Sequence, residues 1–350
     1  MSVKKIHLRD LELLEIERII NDKNLPLFRS KQLFQWVHQK AAINWAAMAN
    51  LPLELRREFS LNYEISGPTT VKKELSEEDG TVKYLLALKD GETVETVLMD
   101  YQDRKTVCIS SQVGCPLACE FCATGKSGYK RNLKVHEVLD QVLTVNRDLV
   151  QEDKLPVTNI VFMGMGEPLL NYQVLLKSMR ILNHPLGLNI SFRKMSVSTS
   201  GIVPEIYRLA KEGLPLVLAI SLHAPNNYLR NQLMPVNRKY PLEELIKAAD
   251  FWIKETGRRI TFEYILIEEV NDGLKEAREL GSLLKGLLAN VNLIPFNPVP
   301  GTNFKKPSLG RVSRFQQFLM DKGIAVTIRG EKGGDISGAC GQLRRREMGN

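Results

Sequence analysis

Apolar and polar positions divide the chain into a helical first part and a longer part in which strands and helices alternate. In residues 1–60 the apolar side chains recur at helical spacing, for example at Leu33, Phe34, Trp36 and Val37. Between residues 81 and 110, two strand-like runs flank Asp90-Gly91, a dipeptide typical of β-hairpin turns. The pattern therefore predicts an N-terminal helical region followed by a hairpin.

The rest of the chain alternates between short apolar runs and amphipathic segments. The runs predict strands, and segments such as 136–150 and 273–289 predict helices; the strands are expected at 157–163, 194–199, 216–222, 259–267, 290–296 and 324–329. Repeated strand–helix units imply a parallel sheet with right-handed crossovers. About six units are too few for an eight-stranded barrel, so we expect an α/β fold with a partial (β/α)6 barrel.

This pattern predicts four regions. They are a small, mostly helical accessory domain, a β-hairpin extension, the partial barrel, and a glycine-rich loop and tail, at residues 1–80, 81–104, 105–330 and 331–350. The conspicuous motifs follow predicted strands: a cysteine-rich loop, "GMGEP", "STSG", "SLHAPN" and "FNP". In such barrels the loops after the strands carry the chemistry.

Composition restricts the class of protein without naming a function. The chain has 350 residues and a net charge of +8, which is compatible with a polyanionic partner but also with an ordinary solvated surface. The N-terminus lacks the character of a signal or transit peptide, and the longest apolar stretches are strand-length. We expect a cytoplasmic protein without membrane association, in which thiols stay reduced.

Three of the five cysteines, Cys115, Cys119 and Cys122, fall within the segment "GCPLACEFCATG". A zinc site is one interpretation, with Cys108 as the fourth ligand that structural zinc requires. Inert buried cysteines fit poorly in a loop rich in glycine and proline. A four-iron–four-sulfur cluster held by three thiolates, with one iron open to a ligand, fits the spacing better.

The Cys-x3-Cys-x2-Cys motif after the first barrel strand, with Phe121 before the last cysteine, resembles the radical S-adenosylmethionine (SAM) enzymes. The resemblance implies a radical SAM partial barrel. It also implies that Cys115, Cys119 and Cys122 hold the cluster and that SAM chelates the open iron and is cleaved to a 5′-deoxyadenosyl radical. Cofactor contacts are then expected at the strand ends, from Gly166, Glu167, Ser198, Ser221, Leu222, His223 and Asn297.

Two further cysteines, together with "VETV", "CISSQVGC", "GMGEPL" and "GQL", extend the resemblance from about residue 5 to residue 345. The chain resembles the dual-specificity ribosomal RNA and transfer RNA adenine carbon-2 methyltransferases. That resemblance implies that Cys340 takes a methyl group from one SAM and that a second SAM provides the radical that activates it. It further implies that Cys108 releases the RNA by forming a disulfide with Cys340, and that Glu95 or Cys108 removes the ring proton.

The implied substrates are 23S rRNA at the peptidyl transferase centre and the adenine 3′ of the anticodon in tRNAs. A reductant protein such as flavodoxin is implied as electron donor, and we expect a monomer. The N-terminal helices, with Lys31, Trp36, His38 and Lys40, are expected to bind RNA, or to pack against the barrel, or both. Two alternatives stay open: a carbon-8 methylase of the sister family, which shares the five cysteines, and a zinc-stabilised RNA-binding protein without catalysis.

Overall fold

The computed structural model describes residues 5–299, 301–330, 332–336 and 343–344. Its helices are α1 Leu13–Asp22, α2 Phe28–His38, α3 Leu53–Asn62, α4 Ala123–Lys126, α5 Val135–Gln151, α6 Tyr172–Asn183, α7 Val203–Ala210, α8 Asn227–Leu233, α9 Leu242–Thr256, α10 Leu274–Leu283 and α11 Leu309–Asp321. Its strands are β1 Ile6–His7, β2 Tyr63–Glu64, β3 Thr69–Leu75, β4 Val82–Ala87, β5 Thr93–Tyr101, β6 Arg104–Cys108, β7 Gln112–Gly114, β8 Tyr129–Asn132, β9 Asn159–Phe162, β10 Met195–Thr199, β11 Val217–Ser221, β12 Ile260–Leu266, β13 Ala289–Pro295 and β14 Ala325–Ile328.

Ten strands form one sheet in the order β14-β13-β12-β11-β10-β9-β6-β5-β4-β3. All neighbours from β6 to β14 are parallel. The six predicted barrel strands are therefore confirmed as β9 to β14, and β6 precedes them as a further parallel strand. Helices connect the successive strands, which confirms the predicted α/β fold.

The predicted hairpin is present as β4 and β5, which pair antiparallel with Ala87 opposite Thr93. A third antiparallel strand, β3, lies at the sheet edge beside β4 and was not predicted. Its side chains are largely exposed, including Val71 and Leu75. An edge strand of this kind has no buried face and so leaves no strong alternating pattern in the sequence. We call β3, β4 and β5 the antiparallel extension.

The predicted N-terminal helices are present, and they share a core with the barrel. Leu8, Ile16 and Phe34 are buried in the same apolar cluster as Leu139 and Leu143 of α5. Packing of the accessory region against the barrel is therefore confirmed. His38, which was expected on an RNA-binding surface, is instead 2% exposed inside this core, so that expectation was wrong for His38.

One predicted helix is shorter than expected. The amphipathic pattern predicts a helix over 273–289, whereas α10 ends at Leu283 and β13 begins at Ala289. Gly286 adopts a φ of +82°, a left-handed conformation that glycine accepts and that does not continue a helix. Within the described ranges, no helix combines the length and the apolar character needed to cross a bilayer.

Candidate active site

A pocket opens at the carboxyl ends of the parallel strands. Its walls come from loops that are far apart in sequence: the cysteine loop, the "GMGEP" loop and the ends of β10, β11, β12 and β14. Eight of the residues predicted to form the site line it, namely Cys115, Cys119, Cys122, Gly166, Glu167, Ser198, Ser221 and His223. The sequence motifs thus converge as the strand-end rule predicts.

The cysteine loop is closed by backbone hydrogen bonds of its own. The Cys115 N–H donates to the Gly128 carbonyl at 3.0 Å, and the Cys122 N–H donates to the Cys119 carbonyl at 3.1 Å. Helix α4 begins directly after Cys122. All three sulfur-bearing side chains therefore belong to one short, folded segment on one wall of the pocket.

Burial gives these thiols an unusual electrostatic environment. Burial raises the pKa of Cys115 to about 12, and it raises that of Cys119 well above its ordinary value. The nearby Cys122 adds to both shifts because neighbouring thiolates repel, whereas the positive charge of Arg230 opposes the shift of Cys119. Buried thiolates need a compensating cation, and iron bound to sulfur provides one.

This donor set fits an iron–sulfur cluster, since three soft thiolates line one pocket that leaves room for a further ligand. Among the described residues, no three His, Cys, Asp or Glu side chains are grouped as ligands of a single metal ion. A four-iron cluster does not require such a group, because each thiolate binds a different iron.

The "GMGEP" loop packs tightly onto the segment that follows β6. A Cβ atom at Gly164 would lie 2.7 Å from the Ile109 carbonyl carbon, and one at Gly166 would lie 2.5 Å from Gln112 Cβ. Gly166 also has a φ of +97°, which L-residues with a side chain rarely adopt. The two glycines therefore let the loop pack closely, at Gly164 against the Ile109 backbone and at Gly166 against the Gln112 side chain.

Glu167 is almost fully buried, with 2% exposure, and its carboxylate is fixed by backbone donors. One oxygen accepts from the Ser200 N–H at 2.7 Å and the other from the Leu169 N–H at 3.1 Å. Burial raises the pKa of Glu167, while these hydrogen bonds oppose the rise. The side chain is therefore held at the pocket wall, and its oxygens keep lone pairs for a cationic ligand.

His223 is held as a neutral ring at the end of β11. Its Nδ1 accepts from the Ile265 N–H at 3.0 Å, so the ring proton lies on Nε2. Burial lowers the pKa of His223 to about 3, and Arg230 contributes to that shift. The residue has a φ of +60°, and its ring meets Phe121 edge-on at 4.9 Å. The Nε2–H group can then donate a hydrogen bond to a ligand in the pocket.

Arg230 connects the ends of two strands, and its role was not predicted from the sequence. Its guanidinium donates to the carbonyls of Ser200 at 2.7 Å, Ser221 at 3.1 Å and Leu222 at 3.1 Å. It is fully buried, and burial lowers its pKa to about 10. A fourth hydrogen bond goes to the Asn237 side-chain oxygen at 2.9 Å. No local motif marks this arginine, because its other three partners are carbonyl groups near the strand ends.

Glu263 and Arg329 also line the pocket without having been predicted. The Asn292 side-chain amide donates to Glu263 Oε1 at 3.0 Å, and Glu263 Oε2 has no hydrogen-bond partner among the described residues. Burial raises the pKa of Glu263, and the charge of Arg329 opposes this. A signal was available, since a glutamate inside the apolar strand "RITFEYILI" is unusual for a buried strand.

Two predicted cofactor contacts, Leu222 and Asn297, stay predictions. Among the described residues that line the pocket, neither Leu222 nor Asn297 appears. Leu222 is fully buried, and its N–H donates to the Glu263 carbonyl at 3.0 Å. Asn297 follows β13 at the same end of the sheet.

Glu95 and Cys108 lie on neighbouring strands, while Cys340 falls outside the described residues. Cys108 is opposite Val97 in the β5–β6 pair. Since side chains alternate along a strand, Glu95, Val97 and Cys108 share one face of the sheet. The backbone of Glu95 accepts from Ser110 Oγ at 2.7 Å, and the same hydroxyl accepts from the Met165 N–H. This connects the extension to the "GMGEP" loop.

Comparison with known protein families agrees with this arrangement. The model of the radical SAM superfamily matches residues 109–281, and the model of the ribosomal RNA large subunit methyltransferase N-terminal domain matches residues 6–65. The first range contains the three cysteines and the barrel loops around the pocket. The second contains helices α1 to α3.

The chain is similar over nearly its full length to curated relatives. It is 45% identical to the probable dual-specificity RNA methyltransferase RlmN of Syntrophomonas wolfei, over 98% of both chains. It is 48% identical to the protein of that name from Desulfitobacterium hafniense strain DCB-2, over 99% of this chain and 98% of the relative. A solved radical SAM methyltransferase from Sphaerobacter thermophilus superposes with a TM-score of 0.93 at 46% identity, over 96% of this chain and 98% of that chain. The chain therefore belongs to the RlmN family of radical SAM RNA methyltransferases, whose superfamily implies a four-iron–four-sulfur cluster and SAM.

Proposed function

We propose that the chain methylates carbon 2 of adenine in 23S rRNA and in tRNAs 3′ of the anticodon, through S-methylated Cys340 and with two SAM molecules per turnover. The observation that carries this proposal is the pocket in which three thiols, Glu167 and His223 meet, in a chain that retains two further cysteines, Cys108 and Cys340. Carbon 2 lies between two ring nitrogens and is electron-poor. A carbon radical can add to carbon 2. Carbon 2 itself is a poor nucleophile, so its direct attack on a sulfonium methyl group is unfavourable.

The pocket residues have distinct roles toward the cofactors. Cys115, Cys119 and Cys122 would hold the cluster, which together with SAM supplies a 5′-deoxyadenosyl radical. The Glu167 carboxylate, oriented by Ser200 and Leu169, suits the SAM ammonium group. Hydrogen-bonding groups for its ribose and carboxylate would come from Gly166, Ser198, Ser221 and the His223 Nε2–H, which line the pocket. Asn297, which follows β13, and the backbone of the buried Leu222 would complete this set.

Glu263 Oε2, which has no hydrogen-bond partner in the part of the chain that the structure describes, adds an acceptor that the strand-end motifs did not include. A ribose hydroxyl is the donor in SAM that suits it, because two uncharged hydroxyls need acceptors when they leave water. A buried acceptor of this kind favours ligands that carry the matching donor.

Two thiols of the chain carry the methyl group and release the product. The Cys340 thiolate attacks the SAM methyl group, giving an S-methyl thioether and S-adenosylhomocysteine. Loss of a hydrogen atom from that methyl group gives a methylene radical, which adds to carbon 2 and links the RNA to Cys340. The adduct then loses the ring proton and one electron, which a one-electron carrier takes up. The Cys108 thiolate attacks the Cys340 sulfur and the bond from that sulfur to the methylene carbon breaks. The electron pair of this bond and a proton from water go to the carbon, so that a Cys108–Cys340 disulfide forms and the methylated adenine leaves.

Glu95 and Cys108 are both proposed as acceptors of the ring proton. Their position on one face of neighbouring strands supports a shared role. Glu95 already accepts hydrogen bonds on both carboxylate oxygens, from Lys83 and from the Arg344 backbone. These two contacts orient the carboxylate, and a carboxylate oxygen has more than one lone pair.

The remaining proposals concern partners. We infer a reductant protein such as flavodoxin as electron carrier, a monomeric enzyme, and a cytoplasmic location, where thiols stay reduced. The N-terminal region offers exposed Lys31 and Lys40 for RNA phosphates. Lys40 Nζ lies 3.9 Å from the centre of the half-buried Trp36 ring, which supports an RNA-facing surface on α2.

A single-turnover assay with SAM labelled in its methyl group tests the proposal. We expect label on intact protein, at Cys340, before label on RNA, and we expect Cys340→Ala to abolish both while keeping iron. Label that reaches RNA without passing through protein would contradict the mechanism. Mass spectrometry of the RNA separates carbon 2 from carbon 8. Family membership favours an iron–sulfur enzyme over a zinc-stabilised RNA-binding protein, and a colourless protein with zinc in place of iron and sulfide would reverse that preference.

The Cys108→Ala variant tests the release step. Methylation of Cys340 and radical addition should proceed, while the product stays attached through a thioether that survives denaturation. Protein cross-linked to RNA should therefore accumulate, in contrast to phosphate contacts, which salt disrupts. Recovery of only free RNA and free protein after turnover would exclude Cys108 as the releasing thiol.

A further inference from the structure

A buried ion pair lies in the antiparallel extension, away from the pocket. Lys83 Nζ of β4 lies 2.9 Å from Glu95 Oε2 of β5, with side-chain exposures of 0% and 3%. In the β4–β5 register Leu85 is opposite Glu95, so Lys83 is its diagonal neighbour on the same face. A lysine is rarely buried to this extent unless an acidic partner compensates its charge.

The same carboxylate also binds the C-terminal part of the chain. Glu95 Oε1 accepts from the Arg344 backbone N–H at 2.7 Å. The Arg344 guanidinium donates to Glu92 at 2.8 Å and to Thr93 Oγ1 at 3.2 Å. Three residues of one strand region therefore hold Arg344, which is itself 4% exposed.

The described residues before position 337 attach to the other end of the extension. The Glu77 N–H donates to Asp335 at 2.8 Å, and the Gly333 N–H donates to Asp79 at 3.1 Å. Both partners lie in the turn between β3 and β4. The extension thus contacts the chain on both sides of residues 337–342, and the contact at Glu95 is the buried one.

We propose that Lys83 is a positioning residue: by fixing the Glu95 carboxylate, it anchors the C-terminal segment at Arg344, four residues after Cys340. The two oxygens have different partners, so the ammonium group on one of them determines where the other points. Without Lys83 the carboxylate would lose the ammonium group that holds its Oε2 atom and would reorient. This change weakens the acceptor for the Arg344 amide. The functional consequence, delivery of Cys340, rests on the proposed function, whereas the anchoring does not.

Hydrogen exchange measures the anchoring directly, without any catalytic step. In full-length Lys83→Met, we expect the Arg344 amide to exchange at least about tenfold faster than in the parent. Amides of β9 to β11 should exchange at the parent rate, and Lys83→Arg should restore much of the protection. The matched control is Lys89→Met, which removes an ion pair to Glu64 in which the lysine is 79% exposed. Unchanged exchange at Arg344 in Lys83→Met would overturn the proposal.

A second pair of variants keeps the test valid if Lys83→Met folds poorly. Arg344→Ala removes the contacts to Glu92 and Thr93 but keeps the N–H group that Glu95 accepts, whereas Arg344→Pro removes the N–H as well. In single turnover, we expect methyl label to reach Cys340 several-fold more slowly in Arg344→Pro than in Arg344→Ala. Equal rates in the two variants, with label reaching Cys340 in the parent, would refute the anchoring role of Glu95. A parent that never carries label at Cys340 would instead refute the proposed function and leave the exchange result standing.

Discussion

Replacing Arg9 with methionine should destabilise the interface between the N-terminal helices and the barrel. Arg9 is 1% exposed, and its Nη1 lies 2.6 Å from Asp140 Oδ1 of α5. The guanidinium also donates to the carbonyls of Ala42 at 2.6 Å, Val37 at 3.2 Å and Ser66 at 3.2 Å. One side chain therefore joins three N-terminal segments to a barrel helix.

The expected loss is about 3–5 kcal/mol of unfolding free energy, since removing one partner of a buried ion pair strands the other charge. The pKa of Asp140 gives the pH dependence. Burial raises it from 3.8 to about 6, and Arg9 opposes the rise. Because the folded state holds this proton more tightly than the unfolded state, Asp140 costs stability as the pH rises from about 3.8 to 6, by about 3 kcal/mol in total.

Loss of Arg9 raises the pKa of Asp140 further, so Arg9→Met should lose more unfolding free energy at pH 7.5 than at pH 5.0. Urea unfolding of the full chain at both pH values measures this difference. Asp140→Leu added to Arg9→Met should recover most of the loss, because no buried charge then remains. The matched control is Arg18→Met in α1, where the side chain is exposed and an effect within about 0.5 kcal/mol is expected. A loss of unfolding free energy in Arg9→Met below about 1 kcal/mol, or a loss independent of pH, would refute the reasoning.

Two further predictions concern the pocket. Cys119→Ala should lose iron and labile sulfide, measured by metal analysis after anaerobic reconstitution, whereas Cys108→Ala should retain both; equal iron content would remove Cys119 from the ligand set. Gly166→Ala should weaken SAM binding in equilibrium dialysis and lower stability by about 1–3 kcal/mol, since its φ is +97° and the new Cβ would lie 2.5 Å from Gln112 Cβ. Gly213→Ala, with a φ of +65° and no heavy atom within 4 Å of its Cβ, should leave SAM affinity unchanged. If Gly213→Ala and Gly166→Ala lose SAM affinity equally, backbone strain alone explains the loss.

The barrel strands and the site loops were predictable because both depend on local sequence and one general rule. Strands β9 to β14 are short segments with apolar or β-branched residues on the face that packs into the core, and this local signal is what predicts them. Their carboxyl ends meet at one edge of the sheet. Motifs that directly follow them, such as those at Glu167 and His223, therefore had to converge.

The features that were missed depend on contacts between distant parts of the chain. Arg230 binds carbonyl groups, which every residue possesses, so its partners leave no trace in the sequence. The alternating pattern of the hairpin predicts Lys83 and Glu95 as ordinary surface residues. In the folded chain other segments cover that face of the hairpin, and both side chains are buried. Strand β3 lies at an exposed edge, where polar side chains are normal. Burial in these cases is decided by tertiary packing and not by local pattern.

The shared core changes how an RNA-binding role for the N-terminal region must be tested. Leu8, Ile16 and Phe34 pack in the same cluster as α5, and Arg9 neutralises Asp140 inside it. A truncation of this region would expose that apolar surface and leave Asp140 without its arginine, so lost RNA affinity could not be separated from lost stability. The exposed Lys31 and Lys40 contribute no such buried contacts. Charge-removing substitutions at these two lysines therefore isolate the electrostatic contribution to RNA binding, which should appear as a weaker dependence of affinity on salt.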